Sequence, residues 1–195
     1  MILDQDLSWG SHINTIATKA NQKLGFIKRN LKRSPQELKR LAYIALVRSS
    51  IEYASVVWDP HLVKDKYKLE QVQRRAARWI TRSYEHNACV TALLQQLKLE
   101  PLEQRRRINR LTFLYKILNE QVAVPPDRMD LVKTTRPVRG SATQQRLTFP
   151  IPKTKEIEYS FTSRTVSEWN ILPDTITSLA SVKSFRSQVT TTLCP

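Results

Sequence analysis

Apolar residues recur at three- and four-residue steps near the start of the chain: Ile13, Ile16, Ala17, Ala20, Leu24, Ile27 and Leu31. Lys19, Gln22, Lys23 and Arg29 fall elsewhere on the wheel, so the pattern predicts an amphipathic helix over residues 11–30. Ser34, Pro35 and Glu37 then form a helix start, with Ser at the N-cap, Pro at the first helical position and Glu at the third as a capping box. The helix that follows runs to about residue 54, and its stripe is Leu38, Leu41, Ala42, Ala45, Ser49 and Tyr53, small at the centre. Asp59-Pro60 interrupts the pattern. A third helix is predicted over 64–82, a short one over 90–97, and a long one from Pro101 to about 119. Leu102, Ile108, Leu111, Phe113, Leu114, Tyr115, Ile117 and Leu118 wrap most of that last helix, which marks it as buried and central.

The texture changes after Val124. Pro125, Pro126, Pro137, Pro150 and Pro152 sit in a Thr- and Arg-containing stretch, which predicts extended, loop-rich chain with short strands near 146–149 and 158–161. Helix resumes over about 163–170 and 181–191. The expected fold is mainly α: a multi-helix bundle over 1–122, then a loop-rich segment over 123–195 carrying short strands and two short helices.

Composition narrows the function. Of 195 residues, 41% are hydrophobic and 25% charged, ordinary globular usage that excludes wholesale disorder. Three glycines argue against a Gly-rich nucleotide cradle and against a turn-dense all-β fold. Cys89 and Cys194 are too far apart in sequence for a zinc knuckle or a disulfide framework and fit a reducing compartment. No apolar run approaches a membrane span and the N-terminus lacks the order of a signal peptide, so an intracellular protein, cytoplasmic or nuclear, is expected, with no membrane and no small-molecule partner. The 32 Lys and Arg against 17 Asp and Glu leave a net charge of +15, which points to a polyanionic partner. The first 120 residues carry 22 cations against 11 acids, so the basic character is concentrated in the helical part.

At about 100° per residue, Leu69, Val72, Ala76, Trp79 and Ile80 share one face of the third helix, while Arg74, Arg75, Arg78 and Arg82 cluster opposite. Arginine presents a planar fork that matches phosphate oxygens. Ordinary solvated faces mix signs, whereas this one has no acid among its arginines, which favours phosphate binding. Arg105, Arg106, Arg107 and Arg110 cannot all point one way, so some pair with internal acids; Arg106 and Arg110 are carried as phosphate-contact candidates. Lys28, Arg29, Lys32 and Arg33, with Lys39 and Arg40 beyond, form a third cluster, at a helix C-terminus where the dipole also favours cations. Trp58, Trp79, Trp169 and Trp9 read as core, not as base-stacking platforms. His12, His61 and His86 have no partners at metal-ligand spacing, and Cys89 has no neighbouring His in a catalytic arrangement. The carboxylates are dispersed, so neither a catalytic site nor a cofactor or metal site is assembled from the chain.

The segments Ile2-Leu3-Asp4, Leu7-Ser8-Trp9, His12-Ile13 and Ala20-Asn21-Gln22-Lys23-Leu24-Gly25-Phe26-Ile27-Lys28-Arg29-Asn30-Leu31 resemble the region after the catalytic palm in LINE-type (non-LTR, jockey-like) retrotransposon reverse transcriptases. Leu46-Val47-Arg48-Ser49, Glu52-Tyr53-Ala54, Val57-Trp58-Asp59-Pro60, Leu69-Glu70-Gln71-Val72-Gln73-Arg74-Arg75-Ala76-Ala77-Arg78 and Leu102-Glu103-Gln104-Arg105-Arg106 follow in that family's order. So do Leu114-Tyr115-Lys116-Ile117, Arg164, Trp169-Asn170-Ile171-Leu172-Pro173 and Val182-Lys183-Ser184-Phe185-Arg186. The resemblance covers essentially the whole chain. It implies the thumb and C-terminal region of an RNA-directed DNA polymerase, which grips an RNA or RNA/DNA template-primer duplex without reading sequence. The family's Tyr-x-Asp-Asp motif has no counterpart here, so its catalytic residues transfer to no position and no activity in isolation is expected. The rival expectation is a helical module that binds protein, for instance the polymerase palm, through apolar Ile2, Leu3 and Leu7. A relic reading frame without independent function is the third.

Overall fold

The computed structural model describes residues 1–85, 88–124, 131–133, 146–148 and 151–193. The readings on Pro125, Pro126, Pro137, Phe149, Pro150, His86 and Cys194 lie outside those residues. The chain is mainly helical and forms two compact units, Met1–Arg105 and Arg106–Pro195. In unit 1, α1 (Gly10–Asn30) is followed by α2 (Gln36–Ala42), a π-helical segment (Tyr43–Arg48) and α3 (Ser49–Glu52). Then come α4 (Ser55–Trp58), α5 (Val63–Thr81) and α6 (Val90–Gln96). Helix α7 (Leu102–Leu118) runs across the division.

Helix α1 buries Ile13, Ala17, Ala20, Leu24 and Ile27 as its period requires, with Ile16 and Leu31 packed at the rim. Its N-terminus is tied by Asp4, whose Oδ2 accepts from the Ser11 amide at 3.0 Å and from the Ser8 hydroxyl at 3.3 Å. A carboxylate there suits the helix dipole. Asp4 and Asp6 are the chain's one Asp-x-Asp spacing, and both serve this local turn, Asp6 accepting from the Ser8 amide.

The next stretch departs from expectation. Leu38, Leu41, Ala45, Ser49 and Tyr53 face solvent, Leu41 at 57% and Tyr53 at 77% exposure, while Lys39, Tyr43, Val47 and Ile51 form the core face. Residues at four-residue steps drift by about 40° per step in an α-helix. The wider i→i+5 turn of the π segment offsets that drift and keeps this set aligned. The expected capping box is replaced too: α2 starts at Gln36 after Pro35, and the Glu37 carboxylate accepts from Arg40 Nη1 at 2.9 Å. The helix ends at Glu52, and after left-handed Ala54 (φ 50°) the chain makes α4. There Trp58 is fully buried and its Nε1 donates to the Tyr53 carbonyl at 2.9 Å.

A buried polar chain crosses unit 1. The Tyr43 hydroxyl donates to Gln73 Oε1 at 3.0 Å. Gln73 Nε2 donates to the Glu100 carbonyl at 2.9 Å and to Glu70 Oε1 at 3.2 Å, and Glu70 Oε2 accepts from the Leu102 amide at 3.1 Å. Burial, reinforced by Glu70, raises the Tyr43 pKa and keeps the phenol protonated as a donor. Arg105 donates to Glu52 and, at 2.7 Å, to Glu100. Burial opposes its charge, but the Glu52 and Glu100 carboxylates outweigh burial and raise its pKa.

Unit 2 is built on the rest of α7, with β1 (Val132–Lys133), β2 (Leu147–Thr148), α8 (Lys155–Glu158), α9 (Phe161–Trp169), α10 (Asp174–Thr177) and α11 (Val182–Leu193). Its core includes Ile108, Leu111, Leu114, Tyr115, Val166, Trp169, Phe185 and Val189, with Phe185 stacked on Tyr115 at 4.4 Å and on Trp169 at 5.6 Å. The strands pair antiparallel, Val132 opposite Thr148. Asn170 acts as a further edge for β2: its side chain accepts from the Leu147 amide at 3.0 Å and donates to the Leu147 carbonyl at 2.9 Å. No strand forms over 158–161: Glu158 ends α8 and Phe161 begins α9. Thr154 and Ser160 cap these helices by accepting from the Ile157 and Ser163 amides, which favours helix over strand at both starts.

The Tyr43–Gln73–Glu70 chain makes Gln73→Leu costly, because it strands a buried hydroxyl while adding only apolar contact. Urea unfolding followed by tryptophan fluorescence should show a loss of about 2–3 kcal/mol. An unchanged midpoint would mean the chain contributes no net stability.

Candidate nucleic-acid interface

Helix α5 buries Leu69, Val72, Ala76, Ala77, Trp79 and Ile80, each large apolar side chain being worth roughly 1.5–3 kcal/mol. That burial sets the roll of the helix. Arg75 and Arg82 are consequently exposed, and Arg74 and Arg78 half-exposed. Arg82 lies past the helix end as its C-cap, at φ 58° and ψ 22°, with its amide and that of Ser83 both donating to the Arg78 carbonyl. It therefore continues the arginine row from a left-handed turn, not from a helical position.

The row is flanked by α1. Arg75 Nη1 donates to Asn21 Oδ1 at 3.1 Å, and Asn21 Nδ2 donates to the Ala17 carbonyl at 2.9 Å. Lys28 is close enough that burial, and then the Arg75 charge, lower its pKa. Thr18, Asn21, Gln22, Gly25 and Arg29 of α1 line an open groove of about 540 Å³ with Arg75. Near the start of α6, Arg74 adds to the lowering of the Cys89 thiol pKa, behind the larger effect of the Ala92 and Thr91 amides. Lys32 and Arg33 are exposed in the turn after α1. The structure thus brings Lys28, Arg29 and Arg75 together, and the candidates of α5 and of the α1 C-terminus all belong to unit 1.

Other cations are placed differently. Lys39 is 2% exposed, its ammonium 5.6 Å from the centre of the Trp79 ring, and burial and then Arg82 lower its pKa. Arg40 is engaged by the Leu97 carbonyl at 2.7 Å and by Glu37. Arg106 and Arg110, counted among the phosphate-contact candidates, are buried, at 1% and 2% exposure. Arg110 Nη2 donates to both Glu168 oxygens, at 2.7 and 2.8 Å. Leu102, Arg106, Arg110 and Leu114 fall at four-residue steps and are all buried, a stripe already present in the sequence. Trp58, Trp79 and Trp169 are core residues as expected, and Trp9 is half-buried against His12. Among the described residues no cluster of His, Cys, Asp and Glu is placed to hold a metal, and no helix is long and apolar enough to cross a membrane.

Comparison with known protein families, with curated proteins and with solved structures finds no match to this chain.

The left-handed C-cap yields a test that separates backbone strain from charge. A residue with a Cβ is disfavoured at φ 58°, so Arg82→Gly should stabilise unit 1 by about 0.5–1 kcal/mol. Arg78→Gly, inside α5, should destabilise it by about 1 kcal/mol. Equal shifts of the same sign in thermal unfolding would contradict this geometry.

Proposed function

We propose that the chain is a nucleic-acid-binding module, the thumb-like part of a retrotransposon RNA-directed DNA polymerase. In this reading it grips an RNA or RNA/DNA duplex through phosphate contacts and reads no sequence. The observation that carries the reading is the division of α5: one face is core, and the other carries Arg74, Arg75 and Arg78, continued by Arg82 at the C-cap and flanked by Lys28 and Arg29. A helix face of arginines meets phosphate oxygens spaced along a backbone, and each neutralised phosphate releases condensed counterions. An A-form or hybrid duplex is held by such backbone contacts because its deep, narrow groove hides the base edges. The order of motifs resembling the reverse-transcriptase thumb supports the polymerase assignment. No catalytic step is assigned to these residues.

A protein-interaction module is the second reading, favoured by exposed apolar side chains at Ile2, Leu3 and Leu7 and along Leu38, Leu41 and Tyr53. One titration separates the two. With Arg74, Arg75, Arg78 and Arg82 changed to Gln and folding verified by circular dichroism, affinity for a labelled RNA/DNA heteroduplex should fall by about 10²–10³-fold. The slope of log K against log salt should flatten by about 3.6, at about 0.9 for each lost phosphate contact. Unaltered affinity and slope would remove the nucleic-acid reading and leave the protein-binding one.

A further inference from the structure

The groove between α1 and α5 is built as more than a charged surface. Its lining carries two guanidiniums, two carboxamides and a hydroxyl, from Arg29, Arg75, Asn21, Gln22 and Thr18, and no carboxylate. Elsewhere in the chain, arginines with charged partners are neutralised: Arg105 by Glu52 and Glu100, Arg110 by Glu168, Arg40 by Glu37. Arg75 is instead held by the neutral amide of Asn21, whose second bond, to the Ala17 carbonyl, fixes the carboxamide with its oxygen toward the guanidinium. A guanidinium so held keeps a fixed direction and its full charge for an incoming anion.

Gly25 supplies the second clue. It lies inside α1, where glycine is the least favourable residue after proline. Nothing local demands it: a Cβ built there meets Arg29 Nη1 at 3.6 Å, an ordinary contact. What glycine leaves is room in the groove for close approach of a ligand. The neighbouring Lys28, its charged form disfavoured by burial and by Arg75, is a further cation that a bound anion would stabilise.

We propose that this groove is the seat of one backbone phosphodiester, with Arg75 and Arg29 as its charged contacts, Gln22 and Thr18 as neutral donors, and Asn21 as the positioning residue for Arg75. The assignment rests on the nucleic-acid reading and adds to it a discrete site.

Gly25→Leu tests it without altering charge, since the side chain fills the groove while raising helix propensity; Asn21→Leu releases Arg75 and is likewise charge-neutral. Each variant, titrated with a labelled RNA/DNA heteroduplex across a salt series, should lose about tenfold in affinity and about 0.9 in salt slope, the signature of one phosphate contact. A merely structural role would leave the slope unchanged. Wild-type affinity and slope in either variant, with native circular dichroism, overturns the seat. If the four-arginine variant still loses affinity then, the broader binding surface stands; if it does not, both readings fall together.

Discussion

Unit 1 can have a core only if one face of α5 is buried, and that single requirement aims the arginines outward. Leu69, Val72, Ala76, Trp79 and Ile80 pack inward with α1 residues Ile13, Ala17, Ala20 and Leu24 in one cluster. With the roll of α5 set by these contacts, Arg75 and Arg82 have nowhere to go but solvent. The cationic row is thus turned outward by the same burial that stabilises the unit.

Charge alone does not distinguish a binding arginine from a structural one; the identity of the partner does. Arg105 and Arg110 have carboxylates on them and serve their own units. Burying such a guanidinium is tolerable only because the acid offsets its desolvation. Arg75 has an amide, Arg29 lines an acid-free groove, and Arg82 stands on a left-handed turn. The cations therefore divide by partner: those paired with carboxylates serve the structure of their own unit, and the exposed, acid-free ones on α1 and at α5 in unit 1 are those of the proposed grip.

The long periodic helices α1, α5 and α7 were legible because a three-to-four-residue apolar period over many turns has one reading. The face of the second helical stretch was not. Lys39 heads its core face, a π segment keeps the four-residue set aligned, and the more obvious apolar stripe through Leu38 and Leu41 is the one left in water. The run over 158–161 reads as strand until Thr154 and Ser160 are recognised as caps. Of the site, the α5 row is visible in sequence because it lies on one helix. The pairing of Asn21 with Arg75 joins residues 54 apart, and the purpose of Gly25 depends on what faces it. Neither has a local signal. The burial of Arg106 and Arg110 is hard to read for the opposite reason: the run of charges masks their four-residue stripe with Leu102 and Leu114.

Arginine footprinting with a dicarbonyl reagent, read by mass spectrometry with and without a saturating RNA/DNA heteroduplex, tests whether the α5 face meets the duplex. Protection is expected at Arg29, Arg75, Arg78 and Arg82, with Arg186 of α11, exposed and bonded to Asn109, reacting equally in both states. Unchanged reactivity along α5 in the complex, or protection of Arg186 equal to that of Arg75, would contradict that contact.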